Sequence, residues 1–269
     1  MDHPRTYRNH ILKTLTRGDL AALAPHLHAI RLPSGKVVEE PGEPIRQVIF
    51  PDSGFISVVA IGKQERRIET GVIGFEGMTG LPVVMGDDRS AHQTFVQVAG
   101  SGHCVETQAL RGLMADHPTL RETFLRYALA QMTQTAHTAL ANGRARIEER
   151  LARWLLMAHD RIERPELPLT HELLSIMLGV RRPGVTDALH RLEGYRTVRA
   201  RRGMITILDR DQLMKIAAAS YGTPEAEYRR LLGDPSRPLL QSPADRPAGH
   251  AIGQPGRRIW NLSSGEMAK

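Results

Sequence analysis

Arg182, Thr186 and His190 stand four residues apart, with Arg181, Asp187 and Arg191 beside them, while Val185, Leu189 and Leu192 occupy the intervening positions. On a helix this spacing puts the apolar residues on one face and the polar ones on the other. Arginine can fork onto guanine O6 and N7, and threonine can reach a thymine methyl or a phosphate. The polar set is therefore suited to reading base edges in a DNA major groove. A little further on, Arg199, Arg201 and Arg202 cluster before Gly203. A basic hairpin tip there would grip the phosphate backbone and add affinity without sequence preference.

Those side chains need a scaffold. Residues 167–193 read as two short helices bent at Gly179, with Leu173, Leu174 and Met177 as the apolar face of the first. Pro183 falls in the first turn of the second, where its missing N–H costs nothing. This is the spacing of a helix-turn-helix. Residues 197–208 alternate around Val198, Ile205 and Ile207 and make a hairpin beside it, which completes a winged helix-turn-helix. Asp209 and Gln212 have the spacing of a capping box for another helix.

Upstream, residues 120–162 contain no proline and place Leu125, Leu129, Met132, Ala136, Leu140, Ile147 and Leu151 on one helical stripe. The pattern predicts one long helix, or two nearly collinear ones meeting at Gly143. A stripe of that length suits a partner helix better than a small barrel, so it is expected to join two copies of the chain. Between residues 33 and 106, runs rich in Val, Ile and Phe at 47–50, 55–61, 67–73, 92–98 and 103–106 alternate with Gly, Pro and Asp punctuation. That is the signature of a compact antiparallel roll or barrel. A short helix over 16–27 precedes it. From residue 234 onward, five prolines and little periodicity predict disorder.

At 269 residues with 41% hydrophobic and 24% charged side chains, the chain fits two globular domains. The charge is unevenly placed: residues 1–142 are balanced, whereas 143–233 hold 17 basic against 12 acidic residues, all but one of the basic ones arginine. A polyanion is the expected partner of that block. No Walker motif, nucleophile elbow or zincin pair occurs. A cupin-like catalytic barrel is disfavoured because the strand segments offer only His92 and His103 as histidine ligands. The other close clusters, His26 with His28 and His103 with Cys104, do not amount to a metal set. The single cysteine cannot form an internal disulfide or hold an iron–sulfur cluster. No apolar run approaches the ~18 residues of a membrane span, and the polar N-terminus has no signal-peptide core. A cytoplasmic location is expected.

The order of parts resembles the Crp/Fnr transcription regulators. The resemblance is carried by Leu169-Thr170-His171-Glu172-Leu173-Leu174-Ser175-Ile176-Met177-Leu178-Gly179-Val180-Arg181-Arg182-Pro183-Gly184-Val185-Thr186, and then by Gly203-Met204-Ile205-Thr206-Ile207-Leu208-Asp209. In the roll, Pro33-Ser34-Gly35, Pro41-Gly42-Glu43 and Asp88-Arg89-Ser90-Ala91 stand at that family's turns and its phosphate-binding Arg-Ser pair. The resemblance implies an α+β protein: a cyclic-nucleotide-binding-like double-stranded β-roll over 1–118, a long dimerisation helix over 119–162, a winged helix-turn-helix over 163–233, and a tail over 234–269. It implies a homodimeric regulator, not an enzyme, that binds double-stranded DNA at an inverted repeat and works with RNA polymerase, away from any membrane. DNA contacts then fall to Thr170, Arg181, Arg182, Thr186, Asp187, His190, Arg199, Arg201 and Arg202, and effector contacts to Glu76, Gly77, Arg89 and Ser90.

Departures from the family narrow these expectations. Its cyclic-AMP receptors place a ribose-binding glutamate about ten residues before the Arg-Ser pair. Here Thr79 stands at that spacing, and Glu76 lies thirteen residues before Arg89. Cyclic AMP is therefore not the expected effector, no resident cofactor is expected, and a different phosphate- or carboxylate-bearing effector would use Arg89. Pro183 and Asp187 replace the family's frequent glutamate and arginine on the recognition helix, so base preference should differ. The competing reading is a nucleotide-sensing adaptor that uses the helical hairpin for protein contacts; it predicts DNA binding no tighter on promoter fragments than on random duplex.

Overall fold

The structure is a computed structural model that describes residues 7–162 and 166–235. The expected disorder of the tail beyond Pro235 lies outside those residues. Two short helices, α1 (His10–Thr14) and α2 (Arg17–Leu23), open the fold, the second capped by the Thr16 hydroxyl accepting from Asp19 N. Strands β1 (His28–Leu32), β2 (Val37–Glu39), β3 (Gln47–Pro51), β4 (Phe55–Ile61) and β5 (Arg67–Ile73) follow. After α3 (Leu81–Met85) come β6 (Gln93–Val98), β7 (Gly100–Glu106) and α4 (Thr107–Asp116). The seven strands make two antiparallel sheets, ordered β1-β7-β3 and β2-β6-β4-β5. Leu32, Ile49, Ile56, Ile73, Val96 and Cys104 form one buried apolar cluster shared by both sheets. This is the β-roll read from the alternating runs.

Helix α5 (Pro118–Arg144) packs Phe124, Tyr127, Ala128, Gln131 and Gln134 inward and leaves Leu125, Leu129, Met132, Ala136 and Leu140 exposed. The backbone then breaks. Arg146 is extended (φ −68°, ψ 161°), and α6 (Ile147–His159) starts in a new phase. The break lies just past the expected Gly143, and it corrects the stripe: Leu151 is fully buried in the C-terminal core, and Ile147 packs against that core. Neither belongs to the exposed face of α5. The helical segment expected over 119–162 therefore divides, with α5 serving the roll and α6 the C-terminal half.

That half continues with β8 (Glu166–Pro168), α7 (His171–Leu178), α8 (Arg182–Gly194), β9 (Val198–Arg201), β10 (Met204–Ile207) and α9 (Arg210–Ala217). Trp154, Leu155, Leu174, Met177, Val185, Leu189, Leu192 and Leu213 share its core, which extends into the roll through Phe55, Val59 and Val72. Helix α10 (Thr223–Leu232) was not anticipated as a separate element. It turns back onto α5 and buries Leu232 in the core built from α1, α4, α5 and the roll. The winged domain expected over 163–233 thus lends its last helix to the N-terminal half, because that helix's apolar residues find their partners there.

Candidate nucleic-acid interface

Helix α7 starts at Thr170, whose hydroxyl accepts from Leu173 N at 3.1 Å. It ends at Gly179, which adopts a left-handed conformation (φ 60°) while Gly179 N donates to Ile176 O and Val180 N to Ser175 O. This left-handed glycine makes the sharp bend into α8 possible. Val185, Ala188, Leu189 and Leu192 of α8 are buried, whereas Arg181, Arg182, Asp187 and His190 are exposed on the opposite side. The structure thus gathers four of the expected base-reading residues on one open face. Thr186 departs from the expectation of a free outward hydroxyl: it is half-buried, donates to Arg182 O at 3.2 Å and lies 3.1 Å from His171 Nδ1. Its oxygen ties α7 to α8. His171 carries no periodic signal and was missed; only its position across the turn from Thr186 reveals it. Arg191 is tethered to Glu148 of α6 at 3.3 Å.

Strands β8, β10 and β9 form the wing sheet, with Ile205 paired to both Leu167 and Ala200. The β9–β10 turn is two residues, Arg202 (φ 47°) and Gly203 (φ 77°), both left-handed as a tight hairpin of that length requires. Arg199, Arg201 and Arg202 are exposed along this edge and tip. Thr170 and Gly203 are neighbours, since a Cβ on Gly203 would lie 3.7 Å from the Thr170 methyl. The N-terminus of α7 and the wing tip therefore form one side of the surface.

The C-terminal half is fastened to strand β5 of the roll at two successive residues. Ile68 presses on the helix-turn-helix bend so closely that a Cβ on Gly179 would sit 2.8 Å from Ile68 Cδ1. Glu69 is buried and accepts from Trp154 Nε1 of α6 at 2.5 Å. Burial pushes the Glu69 carboxyl up to about 7, against smaller opposing contributions from Ser57 and Trp154. Because the folded pKa lies above the unfolded one, this residue's stabilising contribution is complete below about pH 4 and is lost as pH rises through about 7. Glu69→Gln, which stays neutral, is expected to lose less thermal stability than wild type between pH 5.5 and 8.5. Equal losses in the two proteins would contradict the assignment of Glu69 as the titrating group.

The four expected effector residues each make contacts within the chain. Glu76 pairs with Arg161, at 2.6 Å, at the end of α6. Gly77 lets Tyr127 of α5 approach, since a Cβ there would lie 2.3 Å from the tyrosine oxygen. Arg89 is exposed, donates to Gly42 O at 2.6 Å and lies 3.9 Å from Asp88. The Ser90 hydroxyl donates to His92 O at 2.9 Å. Close by, the buried Glu39 carboxylate of β2 accepts from Gly80 N at 2.7 Å and from the Thr94 hydroxyl at 2.9 Å. Burial raises the Glu39 pKa, and hydrogen bonds from Gly80, Thr94 and Ser90 oppose that shift. These donors, which could have seated an anionic ligand, already serve a carboxylate of the chain. Glu39 was missed because a lone glutamate in a short strand carries no motif.

Residues 149–216 match the Crp-like helix-turn-helix domain, a span from the first turn of α6 to α9. No curated protein matches the chain. Among solved structures it is similar to a Crp/Fnr-family transcriptional regulator from Eubacterium rectale, with 18% identity and a TM-score of 0.62 over 76% of this chain and 96% of that one. It is also similar to FixK2 from Bradyrhizobium japonicum, with 16% identity and a TM-score of 0.63 over 72% and 98% of the two chains. A third is the c-di-GMP-responsive global regulator CLP from Xanthomonas campestris, with 18% identity and a TM-score of 0.58 over 71% and 99%. Among the described residues no helix is long and apolar enough to cross a membrane. Residues 149–216 thus carry a Crp-like helix-turn-helix domain, in a chain whose fold is that of solved transcription regulators of the Crp/Fnr family.

Proposed function

We propose that the protein acts as a cytoplasmic homodimer that places two α8 helices on an inverted-repeat operator and regulates transcription through RNA polymerase, by binding rather than catalysis. The observation that carries this reading is the exposed cationic face of Arg181, Arg182, Arg199, Arg201 and Arg202 on a helix-turn-helix and its wing. The N-terminal residues of a recognition helix contact base edges, so Arg181 and Arg182 read sequence while the wing arginines hold phosphates. For an anionic effector, Arg89 is the exposed group among the expected effector residues, since Glu39 already occupies the Gly80 and Thr94 donors.

Footprinting of the purified protein on the DNA upstream of its own gene tests the reading. A protected inverted repeat is expected, and binding no tighter there than on random duplex would favour the adaptor instead. Within that assay, Arg182→Ala should cost about 1–3 kcal/mol on the cognate site and relax preference at one position. Arg201→Ala should weaken all sequences alike and reduce the salt slope by about one unit. Uniform loss in both variants would remove Arg182 from the specificity residues.

A further inference from the structure

We propose that the β4–β5 hairpin of the roll is a second DNA-contacting element, whose exposed Lys63, Arg66 and Arg67 bind backbone phosphates beside the half-site read by α8. The inference rests on the DNA-binding reading above and extends it to the sensor half of the chain. Three observations carry it.

The first is position. Along β5, Gly71 and Val72 lie against Gln131 and Gln134 of α5, Glu69 lies on Trp154 of α6, and Ile68 lies on the Gly179 bend. The strand thus runs from the long helix toward the helix-turn-helix bend, and the hairpin tip at residues 62–66 lies at the bend end of the strand. Arg181 and Arg182 start α8 within three residues of Gly179. The tip therefore lies at the end of the strand that packs on the turn leading into the recognition helix, whose N-terminal end enters a major groove.

The second is charge. Residues 62–67 contain three cations and one acidic residue, Glu65. Lys63, Arg66 and Arg67 are exposed and make no ion pair with the described residues. Cations with no acidic partner among the described residues are free to add phosphate contacts by displacing counterions. The third is rigidity. The tip closes on itself through Gly62 N donating to Arg66 O at 2.8 Å, and β5 is fixed to the DNA-binding half at two successive residues. A contact made there needs little further ordering of the backbone, so the entropy cost is confined to the side chains that reach the phosphates.

The test uses the full-length protein, the duplex protected in the footprint and a random duplex of equal length. Lys63→Gln/Arg66→Gln/Arg67→Gln is compared with Arg31→Gln/Lys36→Gln/Arg46→Gln, which removes the same charge from exposed positions in β1 and just before β2 and β3. The hairpin variant is expected to bind both duplexes at least tenfold more weakly, with a salt slope shallower by about 2–3 units. The control should keep the wild-type slope. Equal slopes in the two variants would overturn the proposal, as would tighter binding by the hairpin variant, which would mean that the hairpin obstructs DNA. Unchanged DNA affinity with lost transcription would instead assign the tip to an acidic protein surface and also overturn it. Failure of the wild type to bind either duplex would overturn the DNA-binding reading itself, a result distinct from all of these.

Discussion

Arg161→Ala is expected to destabilise the folded protein by about 3–5 kcal/mol, the range for stripping one partner from a buried ion pair. Arg161 lies just beyond α6, with Nη2 2.6 Å from Glu76 Oε1 and Nη1 donating to Met157 O at 2.7 Å. The side chains of Arg161 and Glu76 are only 9% and 11% exposed. Burial alone would lower the arginine pKa, but the charges of Glu76, Asp160 and Glu225 hold it above its ordinary value. Without the guanidinium, Glu76 would keep a charge in a place water hardly reaches. Gly74 shows how closely the pair is enclosed, since a Cβ there would lie 2.6 Å from both Arg161 Cγ and Glu76 Oε2. Replacing both charges, as Arg161→Met/Glu76→Gln, should recover most of the loss, because neutral side chains of similar volume leave no uncompensated charge. Urea unfolding of Arg161→Met, Glu76→Gln and the double variant measures this cycle, with Arg161→Ala beside it. A loss below about 1 kcal/mol in Arg161→Ala would place the pair among weak surface bridges.

The parts of this molecule legible in its sequence are those with a local period or a local stereochemical demand. The helix-turn-helix was readable because Val185, Leu189 and Leu192 repeat at helical spacing and because Gly179 and Pro183 occupy positions their backbones suit. Strands β3 to β7 were readable as apolar runs between turn residues, but β1 and β2 were not. Most residues of β1 are at least partly exposed, and β2 has only three residues, so neither produces a clear alternation. The break before α6 was nearly invisible, since no proline or capping side chain marks Arg146. Its consequence for Ile147 and Leu151 comes from tertiary packing, which no periodicity encodes. Glu76, Arg89 and Ser90 were legible only as motif positions. Their actual partners, Arg161, Gly42 and His92, include a residue 85 positions away, and long-range pairing of that kind leaves no local trace.

The correction at α6 also decides which variant can test the homodimer. Ile147→Asp is unsuitable, because Ile147 packs against the C-terminal core and lies 3.5 Å from where a Gly184 Cβ would be. A charge there would damage the DNA-binding domain directly. Leu129 and Leu140 are 46% and 55% exposed in the single chain and lie on the outward face of α5 with Leu125, Met132 and Ala136. The steps of three and four residues among them make a narrow apolar seam of the sort that pairs two helices. Leu129→Asp/Leu140→Asp is therefore expected to give a folded monomer with a nearly unchanged unfolding midpoint, since neither side chain supports the core of its own chain. Its effect on DNA should be far larger. A dimer binds its second half-site as an intramolecular event, so losing the partner should weaken operator binding by about 10²–10⁴-fold while leaving contact with one half-site possible. Sedimentation at micromolar concentration and footprinting on the same operator read the two effects separately. A variant that still sediments as a dimer would move the interface away from α5, and a monomeric variant with wild-type affinity would mean that each subunit reads DNA alone.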